Sequence, residues 1–353
     1  MATVVTRMGD ASTVEMSRDD IHRDIIEGSE AAAKKAKIPA LDEREREYLE
    51  DMFSSPVRIW GVERGHEAVM SKDGSVNTLC SSRLSSGIAA PIGREQAIRL
   101  FESAFAFDSM EVGHLDYSVK PCKFIATVEQ EHMELLQHIT IVPLFYGFMP
   151  NLGLYYRPDG AFENPSDLLP LGKIEEARRT QEEALEACQA DTIWLSEKMV
   201  DVAADGINYD TVASTGDAEF LATLRACEHI SQTTDMAVEI GMAAEVVLGF
   251  HGELEYEGTR LAGLWPHQQM KLVEKAGAAI FGPVVNNNSK KSCAWNVARA
   301  VTFVKACTEE ATIPIHPNVG NGVGGVPMFE VSPIDMVTRA SAAMIEIGRA
   351  DGL

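Results

Sequence analysis

Ala203-Ala204-Asp205-Gly206-Ile207-Asn208 reads as the end of a helix, a glycine that turns the chain, and the opening of an apolar strand. A glycine at a helix C-terminus followed by an apolar run is the form of an αβ connection. The passage recurs at Lys275-Ala276-Gly277-Ala278-Ala279-Ile280. Its approach recurs at Ile347-Gly348-Arg349-Ala350-Asp351-Gly352-Leu353. Helix-to-strand alternation is therefore the rhythm of the second half of the chain.

Working outward, five strands are predicted: 141–146, 206–210, 237–242, 279–285 and 313–316. Helices are expected at 173–204, 217–229, 295–307 and 334–347, and a sixth strand opens at Leu353. Such alternation implies a parallel sheet. The run Ile141-Val142-Pro143-Leu144-Phe145-Tyr146 barely alternates, which suits a strand buried on both faces. An open doubly wound sheet should carry a nucleotide fingerprint, yet no G-x-G-x-x-G follows the first strand and no G-x-x-x-x-G-K-[ST] occurs. Gly320-Asn321-Gly322-Val323-Gly324-Gly325 comes after the fifth strand with the wrong spacing. It is expected to form a mobile loop, or one that lets a ligand approach the backbone. The fold expected is α/β, a TIM-type (β/α)8 barrel incomplete at the C-terminus, with on the order of 100 residues to follow Leu353.

An α+β lead-in is expected over 1–135, ahead of barrel units over 136–353. In it, Val4 to Met8 and Thr13 to Met16 can pair across Gly9-Asp10, and Ser17 with Asp20 can cap a helix reaching about Lys35. A charged helix follows around 42–52. A small β element is expected at Arg58-Ile59-Trp60 with the Lys72-Asp73-Gly74-Ser75 turn, and a one-sided helix at 93–107.

The chain has 353 residues, 45% of them apolar and 7% aromatic, which is enough for a large core. With 53 acidic against 31 basic residues, its net charge of -22 repels nucleic acid and anionic lipid. It suits neutral or cationic small molecules and admits a homo-oligomer. No stretch is apolar enough to span a membrane and no secretory leader opens the chain. The six cysteines are scattered, without C-x-x-C or zinc spacing, and read as the reduced cysteines of a cytoplasmic protein.

In a barrel, functional residues gather at the C-terminal ends of strands. The second strand ends in Asn208, Tyr209 and Asp210, and the third carries Glu239. The fourth ends in Asn286-Asn287-Asn288, and the fifth in His316 and Asn318. Glu239 between Val238 and Ile240 stands out, because a buried carboxylate must be paired, protonated or functional. A structural hydrogen-bonding layer is its plainer account, and a core histidine is that of His316. The 245–266 connection is long for a βα loop, and 253–261 reads as a hairpin. His251-x-Glu253-x-Glu255 has the look of metal ligands, but a solvated hairpin face is simpler, and no metal site is expected. Glu239, Asp210 and His316 are the candidate catalytic residues, and Asn208, Tyr209, His251, Asn286 and Asn318 the candidate substrate-binding residues.

Several strings carry a closer likeness: Thr6-Arg7-Met8-Gly9-Asp10, Gly113-His114-Leu115-Asp116-Tyr117-Ser118, and Pro143-Leu144-Phe145-Tyr146-Gly147-Phe148-Met149-Pro150-Asn151-Leu152-Gly153. To these add Ala204-Asp205-Gly206-Ile207-Asn208-Tyr209-Asp210-Thr211, His251-Gly252-Glu253-Leu254-Glu255-Tyr256, Leu261-Ala262-Gly263-Leu264-Trp265-Pro266-His267 and Val319-Gly320-Asn321-Gly322-Val323-Gly324-Gly325-Val326-Pro327-Met328-Phe329. Over the whole chain the sequence resembles the dimethylamine methyltransferases of methanogens and some other anaerobes. The resemblance implies methyl transfer from dimethylamine to the Co(I) corrinoid of a cognate corrinoid protein, leaving monomethylamine, with no cofactor bound by the chain itself. It also implies a catalytic pyrrolysine after the triplet Asp351-Gly352-Leu353, at position 354. The 353-residue form, ending before it, is then expected to be inactive. Two other readings stand beside it: a zinc-dependent barrel methyltransferase or hydrolase, and a non-catalytic module that binds a corrinoid protein.

Overall fold

The computed structural model of the chain describes residues 3–61, 145–329 and 332–353. The turn expected at Lys72-Asp73-Gly74-Ser75, the helix at 93–107, the string 113–118, residues 141–144 and the boundary at 135/136 lie outside the described residues.

The chain opens on the expected hairpin, β1 (Thr3–Arg7) against β2 (Thr13–Ser17), antiparallel with Arg7 opposite Thr13. Asp10 Oδ1 accepts from Ser12 N at 3.0 Å and from its hydroxyl, fixing the turn and holding the Asp10 carboxyl below its usual range. Helix α1 (Arg18–Ala36) starts in the expected capping box, in which Ser17 and Asp20 each accept from the other's backbone N–H. Ile21, Ile25, Ala32 and Ala36 form its buried stripe, with Gly28 and Ser29 between them. Helix α2 (Glu43–Ser54) follows from an Asp42–Glu45 capping box.

No strand forms at Arg58-Ile59-Trp60. The backbone there is satisfied by side chains, not by a ladder: Arg339 takes the carbonyls of Ser55 and Val57, and Trp60 N donates to Thr338 Oγ1 at 3.1 Å.

Among the described residues four strands make the central parallel sheet, in the order β3 (Phe145–Phe148), β4 (Gly206–Val212), β5 (Ala237–Met242) and β8 (Ile280–Gly282). Between β5 and β8, the expected hairpin appears as β6 (Glu255–Tyr256) and β7 (Thr259–Arg260). The stretch at 313–316 contributes one parallel bridge, Phe281 to Ile315, instead of a full strand. Pro314 has no N–H to give a ladder, and Pro317 stops it on the other side. Beyond it, Asp351 N donates to Ile315 O at 3.0 Å and Ile315 N donates back to Asp351 Oδ2 at 2.9 Å. The chain's last residues thus lie against the fifth extended segment.

Helices α3 (Ile174–Asp201), α4 (Asp217–Thr233), α5 (Pro266–Lys275), α6 (Cys293–Thr308) and α7 (Ile334–Glu346) flank the sheet. Ile174 is 51% exposed, because it begins α3 ahead of the packed turns. Helix α6 is buried on nearly every side, as its almost continuous apolar sequence requires. Helix α1 lies along it, and Thr302 Oγ1 donates to Ser29 Oγ at 3.1 Å across the contact. The lead-in is therefore packed onto the sheet's helical layer. A parallel sheet under helices with an α+β lead-in is consistent with a partial (β/α) barrel. Among the described residues no helix is long and apolar enough to cross a membrane.

Candidate active site

The two faces of the sheet differ in chemistry. Ile207, Tyr209, Val238, Ile240 and Phe281, all at most 1% exposed, form the face under the helices. Their neighbours Asn208, Asp210, Glu239, Gly241 and Gly282 face the other way, since strand side chains alternate. Register brings them into rows: Asn208 opposite Glu239, and Gly241 opposite Gly282. A Cβ at Gly241 would lie 3.0 Å from Asp210 Oδ1 and 3.8 Å from Asn208 Oδ1, which places both side chains over that glycine. A Cβ at Gly282 would meet His316 O at 3.0 Å. The missing side chains leave room beside the polar ones.

His316 Nδ1 lies 3.0 Å from Glu239 Oε1, and both side chains remain partly open, at 25% and 14% exposure. Glu239 is thus paired and still reachable from outside. Asp210 is buried, and its Oδ1 accepts from Thr211 N at 2.7 Å. The backbone turns sharply there: Thr211 and Ala213 take φ of 52° and 66°, and the ladder with β5 shifts between Tyr209 and Val212. Positive φ at a β-branched residue is strained and is held here by its surroundings.

Of the candidate residues, Asn208, Asp210, Glu239 and His316 come together. Tyr209 does not join them: it points under α3, where its hydroxyl meets Ser196 Oγ at 2.7 Å and its ring packs on Phe148. His251 is turned to α3 as well. Its Nε2 is 3.0 Å from Glu182 Oε1, and its Nδ1 accepts from Glu253 N at 3.4 Å. Glu253, 65% exposed, pairs with Arg178, as a solvated hairpin should. Asn286 is exposed, and its carbonyl accepts from Arg299. Asn318 is exposed too, and its N–H donates to Pro283 O.

The glycine loop is stitched down, contrary to the expectation of mobility. Asn287 Oδ1 accepts from Gly325 N at 2.9 Å, its amide donates to Val326 O, and Gly324 N donates to Val285 O. A Cβ at Gly325 would lie 2.3 Å from Val297 Cγ2, so glycine serves close packing on α6.

Two ionic groups support the strand exits and escaped the sequence reading. Arg299 on α6 grips both oxygens of Glu245, in the β5 exit loop, and also donates to Asn286 O after β8. An arginine inside the apolar run 293–307 was the available signal. Glu219 on α4 is fully buried and accepts from Ser214 N, the Ser214 and Thr215 hydroxyls and Leu152 N. Burial raises its pKa to about 7 against the pull of those donors. Among the described residues no group of three His, Cys, Asp or Glu could hold a metal ion.

Two carboxylates, an imidazole and an amide gathered on one face of a parallel sheet can hold a small cation and move a proton. The fold is consistent with the (β/α) class of proteins. The model of the dimethylamine methyltransferase (Dimeth_PyL) family matches residues 2–353, and the chain belongs to that family. Membership supports a methyltransferase role of the dimethylamine and corrinoid type, and implies a corrinoid-carrying partner. No solved structure matches the chain.

Proposed function

We propose that the chain transfers a methyl group from dimethylamine to the Co(I) corrinoid of a partner protein, releasing monomethylamine. The observation that carries this reading, beside family membership, is the Glu239–His316 pair at 3.0 Å with Asn208 and Asp210 on the same face. In the transfer the N–CH3 bond breaks with its electron pair staying on nitrogen, and cobalt supplies the pair for the new bond. The nitrogen must carry positive charge so that it leaves as a neutral amine. An alkylamine keeps its proton to about pH 10, so the substrate arrives as a cation.

Asp210 and Glu239 would stabilise that cation, and Asn208 would orient it. His316, on Glu239, would accept or return a proton at the nitrogen. A pyrrolysine following Leu353 belongs to the same proposal and would supply an imine electrophile that fixes the amine. The hydrogen bonds of Asp351 and Gly352 to Ile315, next to His316, support that placement. The cytoplasmic setting also belongs here; Cys188, Cys227, Cys293 and Cys307 are free and buried, as reduced cysteines would be.

The test follows the cobalt spectrum of a reduced corrinoid protein mixed with the full-length enzyme and each methylamine. Methyl-cobalt formation with dimethylamine is expected. Equal rates with monomethylamine or trimethylamine would remove the substrate assignment, and mass mapping beyond Leu353 decides the pyrrolysine.

A further inference from the structure

A cavity of about 250 Å³ lies between the N-terminal hairpin and α7, and none of its lining residues belongs to the sheet-end cluster. Thr6, Arg7, Arg58, Asp335 and Arg339 supply its polar wall. Among the described residues three guanidinium groups thus meet one carboxylate, on a chain whose net charge is -22. Only one of the three has an acidic partner among the described residues: Arg7 Nε donates to both Asp335 oxygens, at 3.3 and 3.0 Å.

Arg339 is 5% exposed and spends its donors on backbone carbonyls, those of Met52, Ser55, Val57 and Asp335. Those bonds hold the 52–57 segment in place and leave the positive charge uncancelled by a hydrogen-bonded carboxylate. Arg58 follows directly on that segment. It is exposed and makes no ion pair among the described residues. Trp60, bonded to Thr338, fixes the chain on its other side.

Thr6 gives a second, independent indication. It is 3% exposed, lines the cavity, and its hydroxyl has no hydrogen-bond partner among the described residues. A buried hydroxyl left unpaired is costly, and a ligand oxygen would satisfy it. Arg58, the outer edge of Arg7 and the Thr6 hydroxyl surround one space with donors and a surplus of positive charge. Guanidinium groups favour planar or tetrahedral oxyanions. The volume, at about 30 Å³ per water, has room for a small metabolite.

We infer that this cavity is a binding site for a small oxyanion, a carboxylate or phosphate, distinct from the cluster on the sheet. Titration calorimetry of the full-length protein with inorganic phosphate, and separately with succinate, tests it. Saturable one-to-one binding of at least one is expected, and the stronger of the two identifies the headgroup. Arg58→Gln, at an exposed position, should weaken that binding at least tenfold with an unchanged circular dichroism spectrum. Thr6→Val, which keeps the shape and deletes the hydroxyl, should weaken it several-fold without lowering the melting temperature of the free protein. Absence of saturable binding by both probes, or equal affinity in wild type and Arg58→Gln, overturns the inference. So does a large loss of melting temperature in Thr6→Val, since the hydroxyl would then have a structural partner.

Discussion

Glu239 and His316 come from segments 77 residues apart and meet at 3.0 Å, on the face of the sheet opposite Tyr209 and Phe281. A carboxylate there fixes the imidazole's orientation. Glu239→Gln keeps the shape and removes the charge. Turnover of the full-length enzyme should fall well beyond tenfold while its far-UV spectrum stays the same, and an unchanged rate would take Glu239 out of the mechanism.

Arg299 and Glu245 form a bidentate pair with side chains 6% and 15% exposed. Removing one partner from such a pair strands the other charge, at a cost of about 3 kcal/mol. Arg299→Ala should therefore shift the urea midpoint strongly downward, more than the loss of its contacts with Trp295 and Phe303 alone would. The double variant Arg299→Met with Glu245→Gln should regain much of the loss. A double variant as unstable as the single one would show that packing dominates.

The fully buried Glu219 has its folded-state pKa raised from 4.5 to about 7. A raised carboxyl pKa means the folded state holds the proton more tightly than the unfolded state. Its favourable contribution is complete below pH 4.5 and declines as pH rises to about 7. The difference across that window is about 3 kcal/mol. Glu219→Gln, neutral at every pH, should flatten the slope of unfolding free energy between these limits. A slope unchanged by the substitution would place the titration elsewhere.

Gly28 sits where α1 crosses α6, and a Cβ on it would lie 2.2 Å from the Trp295 carbonyl oxygen. Alanine would gain about 1 kcal/mol in helix propensity. Overpacking against a backbone atom that cannot rotate away costs about 1–3 kcal/mol. The clash should win, so thermal denaturation of Gly28→Ala is expected at a lower temperature than wild type.

The strand at Ala237–Met242 could be read to the residue because β-branched and apolar side chains end abruptly at both sides. The capping box at Ser17 was equally legible, since local chemistry sets it. Strand ends that a proline governs were read too long: 279–285 shrank to Ile280–Gly282, and 313–316 to a single bridge. The polar cluster was half visible. Placing Tyr209 beside Asn208 ignored the two-residue period, which sends neighbours to opposite faces. Pairings such as Arg299 with Glu245, or His251 with Glu182, depend on how loops return across the helices, and spacing along the chain carries no trace of that.

The β1–β2 hairpin is fastened to segments distant in sequence: Arg7 donates to Asp335, and Gly9 O accepts from Met328 N. Arg7 and Asp335 are 328 positions apart. A ribosome adds about 5–20 residues each second, so Arg7 waits on the order of tens of seconds for its partner. During that interval β1 and β2 are a two-stranded ribbon, marginal by itself in water. The Arg7–Asp335 contact can close only after residue 335 has been added to the chain.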